Sequence, residues 1–176
     1  VLSPMHRGPV GVGNLNRELQ GLLNPPLPGA PTARGLRPGD RVIQVVNDYE
    51  REVFNGDVGQ VVEVDDDGSV VVAFDGRPVR YEPEWLDEIE LAYAISVHKS
   101  QGSEYPAVIV PLVMQHYVML QRPLLYTAIS RGKRLVVLVG SKRALAIAVR
   151  NAQGRTRHGL LRQRLQAALP GTGGER

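Results

Sequence analysis

A polar loop at residues 96–105 (SVHKSQGSEY) carries the side chains with the widest scope for chemistry in this 176-residue chain. Three of them can donate hydrogen bonds to phosphate oxygens: Ser96, His98 and Ser100. The Glu104 carboxylate can accept hydrogen bonds from ribose hydroxyls, and Gly102 allows a bound group to approach the backbone closely. A polar loop that binds nothing is the alternative, and the residue types alone do not exclude it.

A second candidate is Arg131, in the sequence LYTAISRGKR at residues 125–134. The simpler interpretation is that Arg131, Lys133 and Arg134 complement the negative end of a helix dipole. The alternative is that Arg131 reaches the γ-phosphate of a nucleotide held by a neighbouring domain and stabilises charge during phosphoryl transfer. The chain has no G-x-x-x-x-G-K-[ST] sequence, so we expect that it does not cradle the phosphates of ATP by itself.

The residues around both candidates predict strands that alternate with helices. Buried strands are predicted where apolar runs lack strict alternation: residues 90–97, 107–113 and 135–140. Helices are predicted at residues 122–134, 141–152 and 158–169, the second of them capped by Ser141. This order predicts a parallel α/β sheet, and ligands bind at the ends of the strands of such sheets. The polar loop 96–105 follows one of these strands.

Residues 1–39 predict a short helix followed by a linker. Asn14 can cap the helix, in which leucines recur at helical spacing: Leu15, Leu19, Leu22 and Leu23. Pro25 and Pro26 end the helix, and the proline-rich sequence that follows has no periodicity, which is typical of a linker.

Residues 40–90 predict a small all-β unit. Short runs rich in valine and aromatic residues, including VRYEPEWL at 79–86, are separated by turn signals at 65–69 (DDDGS) and 75–78 (DGRP). Four or five short strands in about 50 residues suit a small barrel of the SH3 type. We therefore expect this barrel to be inserted between the first helix and the rest of the α/β sheet.

The formal net charge of +3 conceals three segments of different charge. Residues 1–39 carry a net charge of +3, residues 40–90 one of −11 and residues 91–176 one of +11. The basic segment suits a polyanionic partner, although the arginines near the C-terminus can equally form a solvated helix face. The acidic segment indicates that the barrel does not bind nucleic acid through a broad basic face.

Composition excludes several classes of protein. The absence of cysteine excludes disulfides and thiolate metal sites, and four scattered histidines argue against a zinc site. No apolar run approaches the ~20 residues of a membrane-spanning helix, and no signal-peptide pattern is present. We therefore expect a cytoplasmic setting. Because Val1 is not an initiator, we also expect the chain to be a piece of a longer protein.

Three stretches together resemble one protein family. AYAISVHKSQGSEY (residues 92–105) resembles motif V of superfamily-1 helicases, and LLYTAISRGKRLVVLVG (residues 124–140) resembles motif VI. VLSPMHRGPVGVGNLNRELQ (residues 1–20) resembles the motif IV region of the RecD-like branch. The resemblance covers nearly the whole chain except the linker and the tail. It is closest to bacterial RecD-like ATP-dependent DNA helicases of the 5′-to-3′ type.

The resemblance implies a RecA-like motor domain of the P-loop NTPase fold that lacks the P-loop itself. Residues 1–30 and 91–165 would form this second motor domain, residues 38–90 an inserted SH3-like barrel, and residues 166–176 a flexible tail. ATP would bind between this domain and a first motor domain that the chain does not contain. The ligands of the accompanying Mg²⁺ would lie on that first domain.

The resemblance also implies roles for individual residues. Arg131 would be the catalytic arginine that contacts the γ-phosphate. The ATP side would comprise Gly102, Glu104, Arg131 and Arg7. The side facing single-stranded DNA would comprise Ser96, His98, Lys99 and Ser100. No metal ligand is assigned. The implied partners are single-stranded DNA, ATP, the first motor domain and a protein partner on the acidic barrel, with no membrane.

Two functions of different classes remain open. The first is the C-terminal part of a DNA helicase of repair or recombination, which couples ATP hydrolysis to translocation and duplex unwinding and is inactive by itself. The alternative is a non-catalytic module centred on the barrel that binds protein or nucleic acid. A nuclease or transferase is disfavoured because the basic half of the chain has no cluster of carboxylates.

Overall fold

The computed structural model describes residues 1–152 and consists of a β-barrel inserted into an α/β domain. In chain order, the helices and strands are β1 (Leu2–Ser3), α1 (Val12–Leu23), β2 (Arg41–Gln44), β3 (Val58–Val64), β4 (Val70–Phe74), β5 (Arg77–Tyr81), β6 (Ile89–Leu91), β7 (Ile95–Ser96), β8 (Tyr105–Leu112), α2 (Arg122–Ile129), β9 (Gly132–Gly140) and α3 (Lys142–Arg150). Short 3₁₀ helices cover Pro83–Glu88 and Met114–Met119. The predicted helix at 158–169 and the predicted tail at 166–176 lie outside the described residues.

The barrel is one antiparallel sheet with the strand order β5-β4-β3-β2-β6. Its side chains alternate between core and solvent, so that Val70, Val72 and Phe74 of β4 all point inward. The two predicted turns join β3 to β4 and β4 to β5, where Gly68 and Gly76 have φ values of +83° and +85°. Glycine adopts this left-handed backbone without a steric penalty. The predicted all-β unit is therefore confirmed.

The α/β domain contains two parallel strand pairs, as the alternation of strands and helices predicts. Strand β1 pairs with β7, placing Leu2 opposite Ile95, and β8 pairs with β9. Strand β1 also lies against β8, so the two pairs adjoin. Helices α2 and α3 pack on this sheet through small and apolar side chains: Leu125, Ala128, Ala144 and Ala148. Ser141 caps α3 as predicted, because its Oγ accepts a hydrogen bond from Ala144 N at 3.1 Å.

Strand β9 is the clearest departure from the sequence-based expectation. The apolar run at 135–140 is a strand, as predicted, but the prediction that it is buried is wrong: Leu135 is 55% exposed and Val139 is 52% exposed. Within residues 1–152, β8 is the one strand that pairs with β9. An apolar run becomes buried only where another layer covers it, and none of the described elements covers the outer side of this strand.

Helix α1 buries its polar face rather than its leucines. Leu22 is 76% exposed, whereas Asn16 and Gln20 are buried. The predicted cap is also wrong, because the helix begins at Val12 and Asn14 lies inside its first turn. A pattern of leucines shows which face is apolar, but tertiary contacts decide which face is covered.

Two predicted strands have different limits in the structure. The stretch 79–86 ends as a strand at Tyr81 and continues as a 3₁₀ helix that begins at Pro83, a position where the missing N–H of proline removes no helical hydrogen bond. The predicted strand 90–97 is divided between two sheets. Its first part, up to Leu91, is the last strand of the barrel, and its second part begins β7 of the α/β domain at Ile95.

Candidate functional site

The polar loop leaves the α/β sheet at the carboxyl end of β7. Its backbone closes on itself in a tight turn, in which Ser100 N donates to Ser96 O at 3.2 Å and Ser103 N donates to Ser100 O at 3.1 Å. Gly102 has φ +86°, and a Cβ at this position would meet no atom within 4 Å. The backbone at Gly102 is therefore accessible, while its predicted contact with a nucleotide stays a prediction.

Ser96 and Ser100 form the buried base of the loop. Ser96 Oγ accepts a hydrogen bond from Lys99 N at 3.2 Å, and Ser100 Oγ donates one to Val97 O at 2.7 Å. Both hydroxyls therefore stabilise the turn from inside. Their predicted contact with DNA is not tested by the structure and stays a prediction.

His98 and Lys99 lie on the outer side of the loop. His98 is exposed to solvent, at the edge of a cavity of about 200 Å³ that Gln101 and Thr127 also line. Lys99 is half-buried, and its Nζ lies 3.1 Å from Glu90 Oε2 of strand β6. The barrel therefore contributes a carboxylate to the immediate surroundings of the loop.

Arg131 lies between helix α2 and strand β9, and its guanidinium is held against the same loop. Nη1 donates to Ser103 O at 3.1 Å, Nε donates to Thr127 O at 3.2 Å, and Nη2 donates to Ser130 Oγ at 3.0 Å. In addition, Tyr105 N donates to Arg131 O at 2.8 Å. Two stretches that are far apart in the sequence are thus joined by both backbone and side-chain hydrogen bonds.

Glu104 completes this cluster through an ion pair with Lys133, whose Nζ lies 2.8 Å from Glu104 Oε2. The hydrogen bond and charge of Lys133 lower the pKa of Glu104, and the charge of Arg131 adds to this effect. We refer to Gly102, Glu104, Arg131 and Lys133 as the loop-edge cluster. Its two cations and open glycine backbone suit a phosphorylated anion.

Sequence reasoning missed two members of this arrangement. It assigned Lys133 only to a helix dipole, although the residue lies two positions after Arg131, at the start of strand β9. Glu90 gave no signal, because its contact with Lys99 depends on how the barrel sits on the α/β domain.

Arg7 lies apart from these contacts. It is exposed in the turn between β1 and α1, and its side chain makes no hydrogen bond or ion pair within residues 1–152. The structure therefore does not join it to the loop-edge cluster, and its assignment to the ATP side stays a prediction.

Neither a metal site nor a membrane span is present in the described part of the chain. Across residues 1–152, no group of three or more histidine, aspartate or glutamate side chains is arranged to hold a metal ion. No helix among these residues is long and apolar enough to cross a bilayer.

Two protein families match parts of the chain. Residues 91–139 match the UvrD-like helicase C-terminal domain, and residues 15–74 match the SH3 domain of ATP-dependent RecD-like DNA helicases. The first match contains the polar loop and Arg131. The second begins in helix α1 and extends into strand β4 of the barrel.

Two curated relatives match nearly the whole chain. It is 40% identical over 168 residues to the ATP-dependent RecD2 DNA helicase of Deinococcus radiodurans, a match that covers 95% of this chain and 23% of the relative. It is 35% identical over 163 residues to the RecBCD enzyme subunit RecD of Mycobacterium tuberculosis, covering 92% of this chain and 28% of the relative. The chain thus spans about a quarter of the length of these relatives.

A solved structure aligns with this chain and shares its fold. The Pif1 helicase from Bacteroides, in complex with ADP-AlF3 and single-stranded DNA, aligns with a TM-score of 0.61 at 19% identity. The alignment covers 99% of this chain and 47% of that one. An α/β domain with an inserted barrel is therefore a fold that is also found in a solved helicase structure.

Proposed function

Because the chain belongs to the RecD-like family of superfamily-1 helicases, we propose that it is the C-terminal motor part of an ATP-dependent 5′-to-3′ DNA helicase. In this proposal the α/β domain is the second RecA-like motor domain, and residues 38–90 are its inserted SH3-like barrel. The polarity rests on the family resemblance alone.

The observation that carries this proposal is the hydrogen bond from Arg131 Nη1 to Ser103 O. It brings the arginine of the motif VI stretch onto the loop of the motif V stretch, where Gly102 and Glu104 lie. A γ-phosphate is a stronger acceptor than a neutral carbonyl or hydroxyl, so we expect Arg131 to exchange its present acceptors for it when the motor domains close. Arg131 then stabilises the charge that develops during phosphoryl transfer.

The loop-edge cluster fits the polyphosphate and ribose of a nucleotide. Arg131 and Lys133 supply two positive charges, one of which the Glu104 carboxylate offsets, and the Gly102 backbone is open. Lys133 lowers the pKa of Glu104, which favours the ionised carboxylate that accepts hydrogen bonds from ribose hydroxyls. Mg²⁺ would neutralise part of the phosphate charge, and we assign its carboxylate ligands to the first motor domain.

Single-stranded DNA is assigned to the outer side of the polar loop. His98 is exposed there, and Lys99 can release Glu90 in exchange for a DNA phosphate. We propose that Ser96, the last residue of β7, and Ser100 support DNA binding mainly by stabilising the turn of the loop. The net charge of +11 over residues 91–176 favours the same polyanionic partner.

One loop that faces both ligands can couple them. Because the turn between Ser96 and Ser103 is closed by several hydrogen bonds, a displacement at Glu104 also displaces His98. Closure of the motor domains around the nucleotide therefore shifts the DNA contacts, and hydrolysis releases them.

The sharpest test is Arg131→Ala in the full-length protein. We expect ATP binding to be retained and DNA-stimulated ATP hydrolysis to fall by roughly 10³–10⁵-fold, the range for an arginine that acts on the transition state. Arg134→Ala is the matched control, because Arg134 is exposed and makes no hydrogen bond to the loop. Turnover within about threefold of the unmodified enzyme would remove the assigned role of Arg131.

The non-catalytic alternative predicts a different result for the same proteins. If the barrel is a binding module for a protein partner and no motor exists, Arg131→Ala changes nothing and no ATPase activity depends on DNA. The chain of residues 1–176 alone is expected to show no ATP turnover, because it has no P-loop.

The helicase proposal has three further parts. They are a protein partner on the acidic barrel, a role in repair or recombination, and a bacterial cytoplasmic location.

A further inference from the structure

We propose that Asp40 is the residue that positions the barrel on the α/β domain. Asp40 immediately precedes strand β2, where the chain enters the barrel, and its side chain is 0% exposed. A buried carboxylate is costly unless every oxygen is hydrogen-bonded, so its partners indicate what it holds together.

Four hydrogen bonds reach the two carboxylate oxygens of Asp40. Oδ1 accepts from Asn24 Nδ2 at 2.7 Å and from Tyr93 Oη at 2.9 Å. Oδ2 accepts from Gln20 Nε2 at 2.6 Å and from Arg37 N at 2.9 Å. The donors belong to helix α1 and its C-cap, to the linker before the barrel and to the segment after it. Asp40 therefore ties together the chain on both sides of the insertion.

The polar face of helix α1 extends this junction to the exit of the barrel. Asn16 Nδ2 donates to Leu91 O at 2.7 Å, and Asn16 Oδ1 accepts from Ala94 N at 2.7 Å. Leu91 ends the last barrel strand, and Ala94 precedes β7. This role explains why α1 buries its amides and leaves its leucines exposed.

An apolar contact fixes the same orientation. Neighbouring residues of β2 point to opposite sides, so Val42 belongs to the barrel core while Ile43 belongs to the core of the α/β domain. Val45 and Val58 pack partly against that second core. The barrel and the α/β domain thus share strand β2, and the polar junction at Asp40 lies at its start.

The consequence for the proposed function is that the barrel moves with the polar loop. Glu90 of strand β6 pairs with Lys99 of the loop, so a barrel held by Asp40 keeps this carboxylate beside the side assigned to DNA. This last step rests on the proposed function, whereas the positioning role of Asp40 does not.

The chain is suited to a direct measurement of barrel orientation. Its single tryptophan, Trp85, lies in the barrel, and it contains no cysteine. Ala146→Cys places one labelling site on an exposed position of helix α3 in the α/β domain. Time-resolved energy transfer from Trp85 to an acceptor on this cysteine reports the distribution of distances between barrel and α/β domain, without nucleotide or DNA.

In this labelled protein, we expect Asp40→Ala to broaden the distance distribution roughly twofold or more, because it removes four hydrogen bonds at the junction and leaves the apolar contact of β2 to restrict the movement. Circular dichroism must show that both parts remain folded. Asp66→Ala is the matched control, because Asp66 is exposed in the β3–β4 turn and its side chain makes no hydrogen bond to any residue in the described range 1–152. An unchanged distribution in folded Asp40→Ala overturns the proposal.

If Asp40→Ala does not fold, more conservative substitutions test the proposal by the same distance measurement. Asp40→Asn retains an acceptor for Asn24 and Tyr93 but sets an amide donor against Gln20 Nε2 and Arg37 N. We therefore expect the distance distribution of Asp40→Asn to be broader than that of the unmodified chain. Tyr93→Phe removes one donor and is expected to broaden the distribution slightly. Distributions that are identical in these two variants and in the unmodified chain overturn the proposal.

Discussion

Strand β4 of the barrel and strand β9 of the α/β domain have similar valine-rich sequences and opposite surroundings. Val72 of β4 is 0% exposed, whereas Val139 of β9 is more than half exposed. Strand β4 has a partner on each side, β3 and β5, and a core of barrel residues beneath it. Strand β9 has only β8 among the residues that the structure describes.

The difference shows which residues bury the apolar side chains of each region. The barrel buries its valines with residues that lie between Ala33 and Leu91, so its core is local in sequence. The α/β domain buries one side of its strands against its own helices and leaves β9 with apolar surface in contact with solvent. Apolar composition sets how much a strand gains from burial, but the fold sets how much burial it receives.

The largest expected effect is a difference in the free energy of unfolding between matched substitutions on these two strands. We expect Val72→Asp to lower the free energy of unfolding by about 4–5 kcal/mol or more, because it buries an unpaired charge. Val139→Asp, the matched change on β9, should stay within about 0.5 kcal/mol, as for other exposed positions. Urea unfolding followed by circular dichroism and Trp85 fluorescence measures both. A comparable loss in Val139→Asp would mean that β9 is covered in solution.

A smaller effect is expected at the strand that the two regions share. Ile43→Ala should lower the free energy of unfolding by about 2–5 kcal/mol, since it leaves a cavity in the core of the α/β domain. Because Ile43 is on a barrel strand, Trp85 fluorescence and circular dichroism should both shift to lower urea concentration. Val46→Ala, at an exposed position just beyond β2, serves as the control. A shift seen by only one probe would show that the regions unfold independently.

The smallest expected effect concerns the pH dependence of the α/β region. His116 is buried in the 3₁₀ helix Met114–Met119, and this burial lowers its pKa, with a weak opposing effect from the carbonyl of Pro111. We expect the unmodified chain to lose stability as the pH falls below 6.5, by at most about 1.4 kcal/mol per pH unit through this residue. His116→Gln should flatten the profile, which thermal unfolding at several pH values measures.

The sign of this effect follows from proton uptake. Above the ordinary histidine pKa of 6.5, His116 is neutral in both the folded and the unfolded chain, so its contribution does not change with pH. Below that value the unfolded chain binds a proton that the folded chain does not bind, and stability falls as the pH is lowered. The loss stops only below the depressed pKa of the folded state. A profile that is equally steep in His116→Gln would assign the pH dependence to other groups.

Much of the fold could be predicted because its signals are local. The glycine turns of the barrel, the Ser141 cap and the alternation of strands with helices each depend on a few neighbouring residues. The errors arise where distant contacts decide. The burial of Asn16 instead of Leu22, and the exposure of Leu135, depend on what packs against each face, and periodicity alone does not contain that information.

In the candidate site, too, local features could be predicted and features that depend on distant contacts could not. The residues of the loop could be identified from their types and from the family resemblance, and Arg131 lies against that loop in the structure. The ion pairs made by Lys133 and Glu90 could not be predicted, because each depends on the approach of a separate strand. The buried hydroxyl of Ser100 was also beyond prediction, since exposure is decided by the turn and not by the residue type.

The placement of the insertion has a consequence for the order of folding. The strands at which the chain enters and leaves the barrel are hydrogen-bonded neighbours, with Val42 opposite Leu91, so the barrel sheet closes without any residue of the α/β domain. Strand β1, in contrast, pairs with β7 only after the whole barrel has been synthesised, because Leu2 lies opposite Ile95. Contacts over short sequence separations form faster than those over long ones. Among residues 1–152, the barrel would therefore be the first part to fold on a ribosome, and its completion would bring the two halves of the motor domain together.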